Sequence, residues 1–169
     1  LYVPRVQVHL HDRDVGAEWR TVMRSEFLWE PVNASDQKDP RGLHESNELF
    51  LLVPIDCRRI ANRLSCDQEI AADGFFSLAM VARLEASLRE RGEWFYRRLF
   101  WECGLIGQVL YLEAEAAGGR ATGIGCFYDD PVHETLGLTG RAWQSLYHFS
   151  MGMPIDDGRL TTEPGYPWE

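Results

Sequence analysis

Apolar residues recur along the chain with two different periods. Residues 6–11 alternate apolar and polar, which predicts a strand. Residues 48–54 form a short solid apolar run, and 75–83, 122–127 and 145–151 complete a set of five predicted strands. Helical spacing appears over 17–25, over 55–65 with Asp56 as a capping residue, over 93–117, and over 131–136. A single turn is expected at 69–72. For 131–136 the expected N-cap is Asp129 or Asp130, with Pro131 in the first turn. The two kinds of element intermix without a strict βαβ rhythm, so the predicted class is α+β, not a doubly wound parallel sheet.

The longest helix carries the most information. Trp94, Phe95, Leu99, Phe100, Cys103, Ile106, Val109, Leu110 and Ala114 make an apolar stripe wider than one face. Such a helix must be central, or be covered on its far side by a second subunit. Glu93 and Arg97 are spaced for an i,i+4 ion pair. Gly104 and Gly107 remove side chains where something packs closely, and Gly118-Gly119 ends the helix. Residues 33–47 read as a surface loop, and 156–169 as an extended arm whose Tyr166 and Trp168 need a surface to pack on.

Composition narrows the function. The 169 residues suit one domain, and the 45% apolar content can fill its core. The formal charge is 17 − 26 = −9, which argues against broad electrostatic binding of nucleic acid or anionic membrane. Lys38 is the one lysine, so a cationic contact to a ligand phosphate falls to arginine. Cys57, Cys66, Cys103 and Cys126 contain no C-x-x-C pair and lie in apolar or helical settings, so buried free thiols are expected. The first ten residues lack a signal-peptide pattern, and the longest apolar run, 103–112, is too short to span a bilayer. These features point to a reducing, cytoplasmic setting. The chain starts at Leu1 in sequence that already reads as structured, so a piece of a longer protein is expected.

Familiar catalytic signatures are weak here. Gly123-Ile124-Gly125 follows a helix and a glycine turn and opens a strand, which is the reverse of a dinucleotide loop. Its glycines suit either a flat ligand or close packing against a strand. His9 and His11 share a strand face without a third metal ligand, and His44-Glu45 lacks the second histidine of a zinc protease. No metal site is expected. His148 alternates with apolar residues and reads as structural. Arg159, just past a Gly152-Met153-Pro154 turn, either grips a phosphate with its fork of donors or pairs with Asp156, Asp157 or Glu163. Arg97 and Arg98 open the long helix beside Glu93 and Glu102.

One ordered set of motifs is more specific. Tyr96-Arg97, Glu102-Cys103-Gly104, Gln108, Leu112-Glu113-Ala114, Gly118-Gly119, Gly123-Ile124-Gly125-Cys126-Phe127 and Asp129-Asp130 together resemble the nitroreductase superfamily. They are most similar to its azoline-dehydrogenase-like branch, which acts on modified peptides. The end of the chain, 147–152 followed by Gly158-Arg159-Leu160, resembles that family's last core strand and closing arginine segment. The resemblance implies a mostly antiparallel sheet wrapped by helices, with a long central helix in a dimer core and FMN bound at the dimer interface. It places Gly123, Ile124, Gly125 and Cys126 along the flavin ring and Arg159 on the FMN phosphate. Tyr96 and Arg97 would lie near the pocket. It implies hydride transfer through flavin N5 to or from a small organic or modified-peptide substrate, with NAD(P)H as a possible donor. The partner would be a second copy or an upstream domain acting as a pseudo-dimer.

Departures accompany the likeness. The family's phosphate-binding Arg-x-Ser-x-Arg segment is missing, since Arg24-Ser25 runs on into Glu26, Phe27 and Leu28. Asp157 stands where a lysine often accompanies the closing arginine. Leu105 and Val109 stand where the related branch tends to carry His and Asn, and 89–92 lacks its Lys-Tyr pair. Either an upstream part of a longer protein supplies the phosphate site, or the domain is a flavin-free relative serving dimerisation or partner binding.

Overall fold

Strand β1 (Val6–Leu10) leads into α1 (Arg13–Val22), a short β2 (Glu30–Pro31), and β3 (Glu48–Val53). Then come α2 (Arg58–Leu64), α3 (Ile70–Asp73), β4 (Phe76–Arg83), α4 (Glu85–Arg91), α5 (Phe95–Ala116), β5 (Arg120–Ile124), α6 (Asp129–Leu136) and β6 (Trp143–Gly152). This computed structural model describes residues 6–10, 13–32, 48–155, 157–161, 163, 165 and 166. The predicted 33–47 loop, His11, His44 and Trp168 lie outside the described residues, and so does the His9 side chain. The class is α+β, with two antiparallel three-stranded sheets in the orders β1-β3-β2 and β4-β6-β5. No described helix is long and apolar enough to cross a membrane.

Each sheet has its own core. Trp19, Met23, Phe50, Leu52, Leu138 and Trp143 cluster at the first, with Trp19 and Trp143 edge to face at 5.2 Å. Met80, Phe95, Leu99, Cys103, Leu146 and Phe149 cluster under α5. Strand β6 feeds both, which is why its side chains are buried almost without alternation. A bulge makes that possible. Met80 pairs with Tyr147 but Val81 pairs with Ser145, so Leu146 is the extra residue. The one-residue slip changes the strand's phase. Ser145 and His148 then share a face, joined at 3.2 Å, while Tyr147 and Phe149 turn toward α5.

Several sequence expectations shift. Strand β5 ends at Ile124, so 125–127 lie past it. The two-residue β2 and α4 carry no clear local signal in the sequence. The N-cap of α6 is Tyr128, not Asp129 or Asp130, because the helix starts at Asp129, two residues before the predicted 131, and places both aspartates in its first turn. Glu93 sits in the turn before α5; an i,i+4 ion pair within that helix joins Arg98 to Glu102 at 3.5 Å. Asp56 does accept the Arg58 amide at 3.0 Å, in front of the Cys57 cap.

Helix α5 lies on the second sheet through one stripe only: Phe95, Leu99, Cys103, Gly107 and Ala114 are buried. Gly107 earns its place, since a Cβ there would sit 3.0 Å from the Tyr147 ring. Gly104 faces open space instead, with nothing within 4 Å. Trp101, Leu105, Ile106, Val109 and Leu112 on the outer face are each at least half exposed. Among the described residues nothing covers that face.

Candidate functional site

The segment from Gly123 to Cys126 begins inside β5, an edge strand. Gly123 pairs with Phe149 and Ile124 with His148. Ile124 is buried and anchors the strand. Gly123 is required by close packing: a Cβ there would stand 1.7 Å from the Tyr147 hydroxyl and 2.6 Å from its ring carbon Cζ. Its amide donates to Tyr111 Oη at 2.7 Å, so a tyrosine of α5 occupies that backbone donor. Neither tyrosine stood out in the sequence, because no local period links positions on different elements.

Beyond Ile124 the chain opens out. Nothing lies within 4 Å of a Cβ on Gly125, and Cys126 is exposed. Two hydrogen bonds hold this segment against the end of α2. Gln68 Nε2 donates to the Cys126 carbonyl at 3.0 Å, and the Tyr128 amide to the Leu64 carbonyl at 2.8 Å. Cys126 Sγ lies 2.6 Å from Cys66 Sγ. None of the four cysteines is in a disulfide, and only Cys57 and Cys103 are buried; Cys66 is half-buried. The apolar setting of Cys66 and Cys126 in the sequence is a property of their neighbours, not of the loop ends they occupy.

His148 lies beneath the segment. It is buried, stacks on Phe127 with centroids 4.1 Å apart and planes 8° apart, and meets Ser65 Oγ at 3.4 Å and Ser145 Oγ at 3.2 Å. Burial pushes its pKa down from 6.5 to about 4, so the ring is neutral at pH 7.

Arg159 is placed apart from this group. Its guanidinium holds Asp157 with contacts of 2.8 and 2.6 Å, and its amide donates to the same carboxylate at 3.0 Å. The pairing holds the Asp157 carboxyl below the usual carboxylate range and raises the arginine. The side chain is 89% exposed. The tail that carries it leaves β6 at Gly152, opposite Arg120, whereas Gly125 follows the far end of β5. Those two ends are separated by about 13 Å of strand. Tyr96 and Arg97 are exposed on the first turn of α5, with Tyr96 against Phe100 at 5.1 Å. Arg24 caps α6: its Nε donates to the Thr135 carbonyl at 2.9 Å and its Nη2 to that of Glu134 at 2.5 Å. A shallow depression lined by Leu84, Leu88, Arg89 and Arg141 contains none of the expected site residues.

A flavin mononucleotide can be weighed against these residues. The ring end fits: Gly125 presents bare backbone beside open space, which lets a flat group approach. The phosphate end is less ready, because Arg159 is neutralised by Asp157.

Comparison with known proteins agrees with the motif order. The profile of the family described as the Nitroreductase family matches residues 12–153. Among solved structures, one from Anabaena variabilis, described as a candidate nitroreductase, superposes with a TM-score of 0.60 at 29% identity. The match covers 64% of this chain and 22% of that one, so the chain corresponds to about a fifth of that protein's length. No curated protein matches the chain.

Proposed function

The chain belongs to the nitroreductase family, and from that premise we propose that it is an FMN-dependent oxidoreductase domain acting on a small organic or modified-peptide substrate. NAD(P)H is the electron donor in this reading, and the setting is cytoplasmic. The observation that carries it is the open, side-chain-free backbone at Gly125, held at the end of an edge strand and followed by exposed Cys126. When bound, the flavin supplies hydride chemistry at its N5 atom. The chain's own residues bind and orient. Ile124 fixes the strand from the core, Tyr111 and Tyr147 fix Gly123, and the Gly125–Cys126 backbone lies along the ring. Arg159 exchanges Asp157 for the phosphate, a fork-to-oxyanion contact that arginine makes well.

Flavin titration of the purified protein, in its assembled form, tests this reading. Arg159→Ala is expected to weaken FMN binding roughly tenfold or more. Asp157→Asn removes the competing carboxylate and is expected to tighten it. A wild-type protein that carries no flavin absorbance after gel filtration in excess FMN would count against the proposal. It would favour a flavin-free domain used for association.

The outer face of α5 completes the picture. Leu105 is 66% exposed and Leu112 61%, with Trp101 and Val109 between and beside them. We propose that a second copy, or a further domain of the same fold, covers this face and supplies the remaining flavin contacts. Open space at Gly104 allows a partner helix to come close. Leu105→Arg is expected to shift sedimentation from dimer to monomer, weakening association by roughly a hundredfold, with the far-UV spectrum unchanged. A wild-type protein that sediments as a monomer at high concentration would overturn the second copy as the occupant.

A further inference from the structure

We propose that Cys66 and Cys126 form a reversible dithiol–disulfide site, oxidised by exchange with a low-molecular-weight disulfide such as oxidised glutathione. The proposal stands apart from the flavin reading. The two sulfurs lie 2.6 Å apart although 60 residues separate them in the chain. That leaves about 0.6 Å to the length of a disulfide bond.

The surrounding structure holds the pair in place. The 64–68 and 126–128 segments are joined by the Tyr128–Leu64 backbone bond at 2.8 Å and by Gln68 Nε2. That one amide nitrogen donates to both the Ser65 carbonyl at 2.7 Å and the Cys126 carbonyl at 3.0 Å. Both segments also rest on one buried ring, since Ser65 meets His148 on one side and Phe127 stacks on it. Cys66 and Asp67 have φ of 55° and 56°, a left-handed conformation uncommon for residues other than glycine. That turn aims Cys66 at Cys126. Elsewhere, Cys103 on α5 is buried against the second sheet and its thiol is pushed up to about 11, so it is both hidden and protonated.

Accessibility sets the order of events. Cys126 is exposed and meets the oxidant; Cys66 is half-buried and resolves. The Cys126 thiolate attacks one sulfur of the small disulfide, forming a mixed disulfide and releasing one small thiol. Cys66 gives its proton to water and attacks the Cys126 sulfur, releasing the second small thiol. Two protein S–H bonds become one S–S bond, and one small disulfide is reduced to two thiols. The Cys66 proton is held more tightly than in a free thiol, first because its hydrogen bond to Cys126 favours the protonated form. The product would tie the Gly125–Cys126 segment covalently to the end of α2.

Equilibration of the purified protein in graded mixtures of reduced and oxidised glutathione tests the site, with intact mass and peptide mapping under non-reducing conditions as readout. Two of the four thiols should be lost, with a mass lower by two hydrogens, no retained glutathione, and a cross-link between the Cys66 and Cys126 peptides that dithiothreitol reverses. Cys66→Ser should leave one glutathione stably attached to Cys126, and Cys126→Ser should leave the protein unmodified. The oxidised wild-type protein should melt several degrees higher, because the bond closes a long loop. Three results would overturn the proposal: wild-type protein that retains glutathione on Cys126, a cross-link through Cys57 or Cys103, or four free thiols across the whole series.

Discussion

Gly123→Ala is expected to cost about 3 kcal/mol of folding stability, the upper part of the usual range for overpacking. The added methyl would stand 1.7 Å from the Tyr147 hydroxyl, and the ring behind that hydroxyl is rigid. Retreat is blocked on the other side, where Tyr147 Cε1 already touches the space above Gly107 in α5. Moving the strand would also stretch the 2.7 Å bond from the Gly123 amide to Tyr111. Urea unfolding at pH 7 measures the loss. Gly125→Ala serves as the control, with an expected change within about 0.5 kcal/mol, because its Cβ enters open space. Tyr147→Ala in the Gly123→Ala background should recover much of the loss attributable to the clash, seen as strong coupling in a double-mutant cycle. A cost for Gly123→Ala no larger than that of Gly125→Ala would show that the tyrosine does not fill this space.

Acid will destabilise the fold through His148. Its pKa falls from 6.5 to about 4 on folding, so between those values the unfolded chain binds more protons than the folded one. Stability therefore declines as pH drops below about 6.5, and the loss is complete once pH passes about 4. The total reaches at most about 3 kcal/mol. The cause is burial beside two serine hydroxyls and the Phe127 ring, none of which neutralises a charged imidazole. Asp56 and Asp157 add a separate loss at lower pH, since Arg58 and Arg159 hold their carboxyls below the ordinary range. Denaturant unfolding from pH 7 to pH 4 is the measurement, and His148→Gln should flatten the slope between 6.5 and 4. An equal slope in the two proteins would move the effect to other groups.

The cases of Gly123 and Arg159 show how far local pattern reaches. Both stand out as residue types in a sequence, a glycine in a strand and an arginine after a turn. Each had a binding reading and a packing or pairing reading of similar weight. Tyr147 and Tyr111 occupy the inner side and the amide of Gly123, and Asp157 occupies Arg159. Gly125 looks the same as Gly123 in sequence yet meets open space. The difference lies in which strand end and which neighbour each meets, and those are long-range facts.

The sequence alone determined most of the elements and their class. The alternation that marks β1, the solid run of β3 and the long apolar period of α5 are local, because backbone geometry fixes where successive side chains point. It also carried the ordered motifs from Tyr96 to Asp130 that match the family, and the width of the α5 stripe that left an outer face uncovered. Only the tertiary structure decided the phase of β6, where the extra residue Leu146 returns His148 to the face of Ser145. Only it brought Cys66 to Cys126 across 60 residues, and filled the space over Gly123 with a tyrosine from a neighbouring strand. The physical reason is the same in each case. A period records how one element faces its surroundings, whereas a bulge, a contact between loops or a shared space depends on how two distant elements are registered against each other.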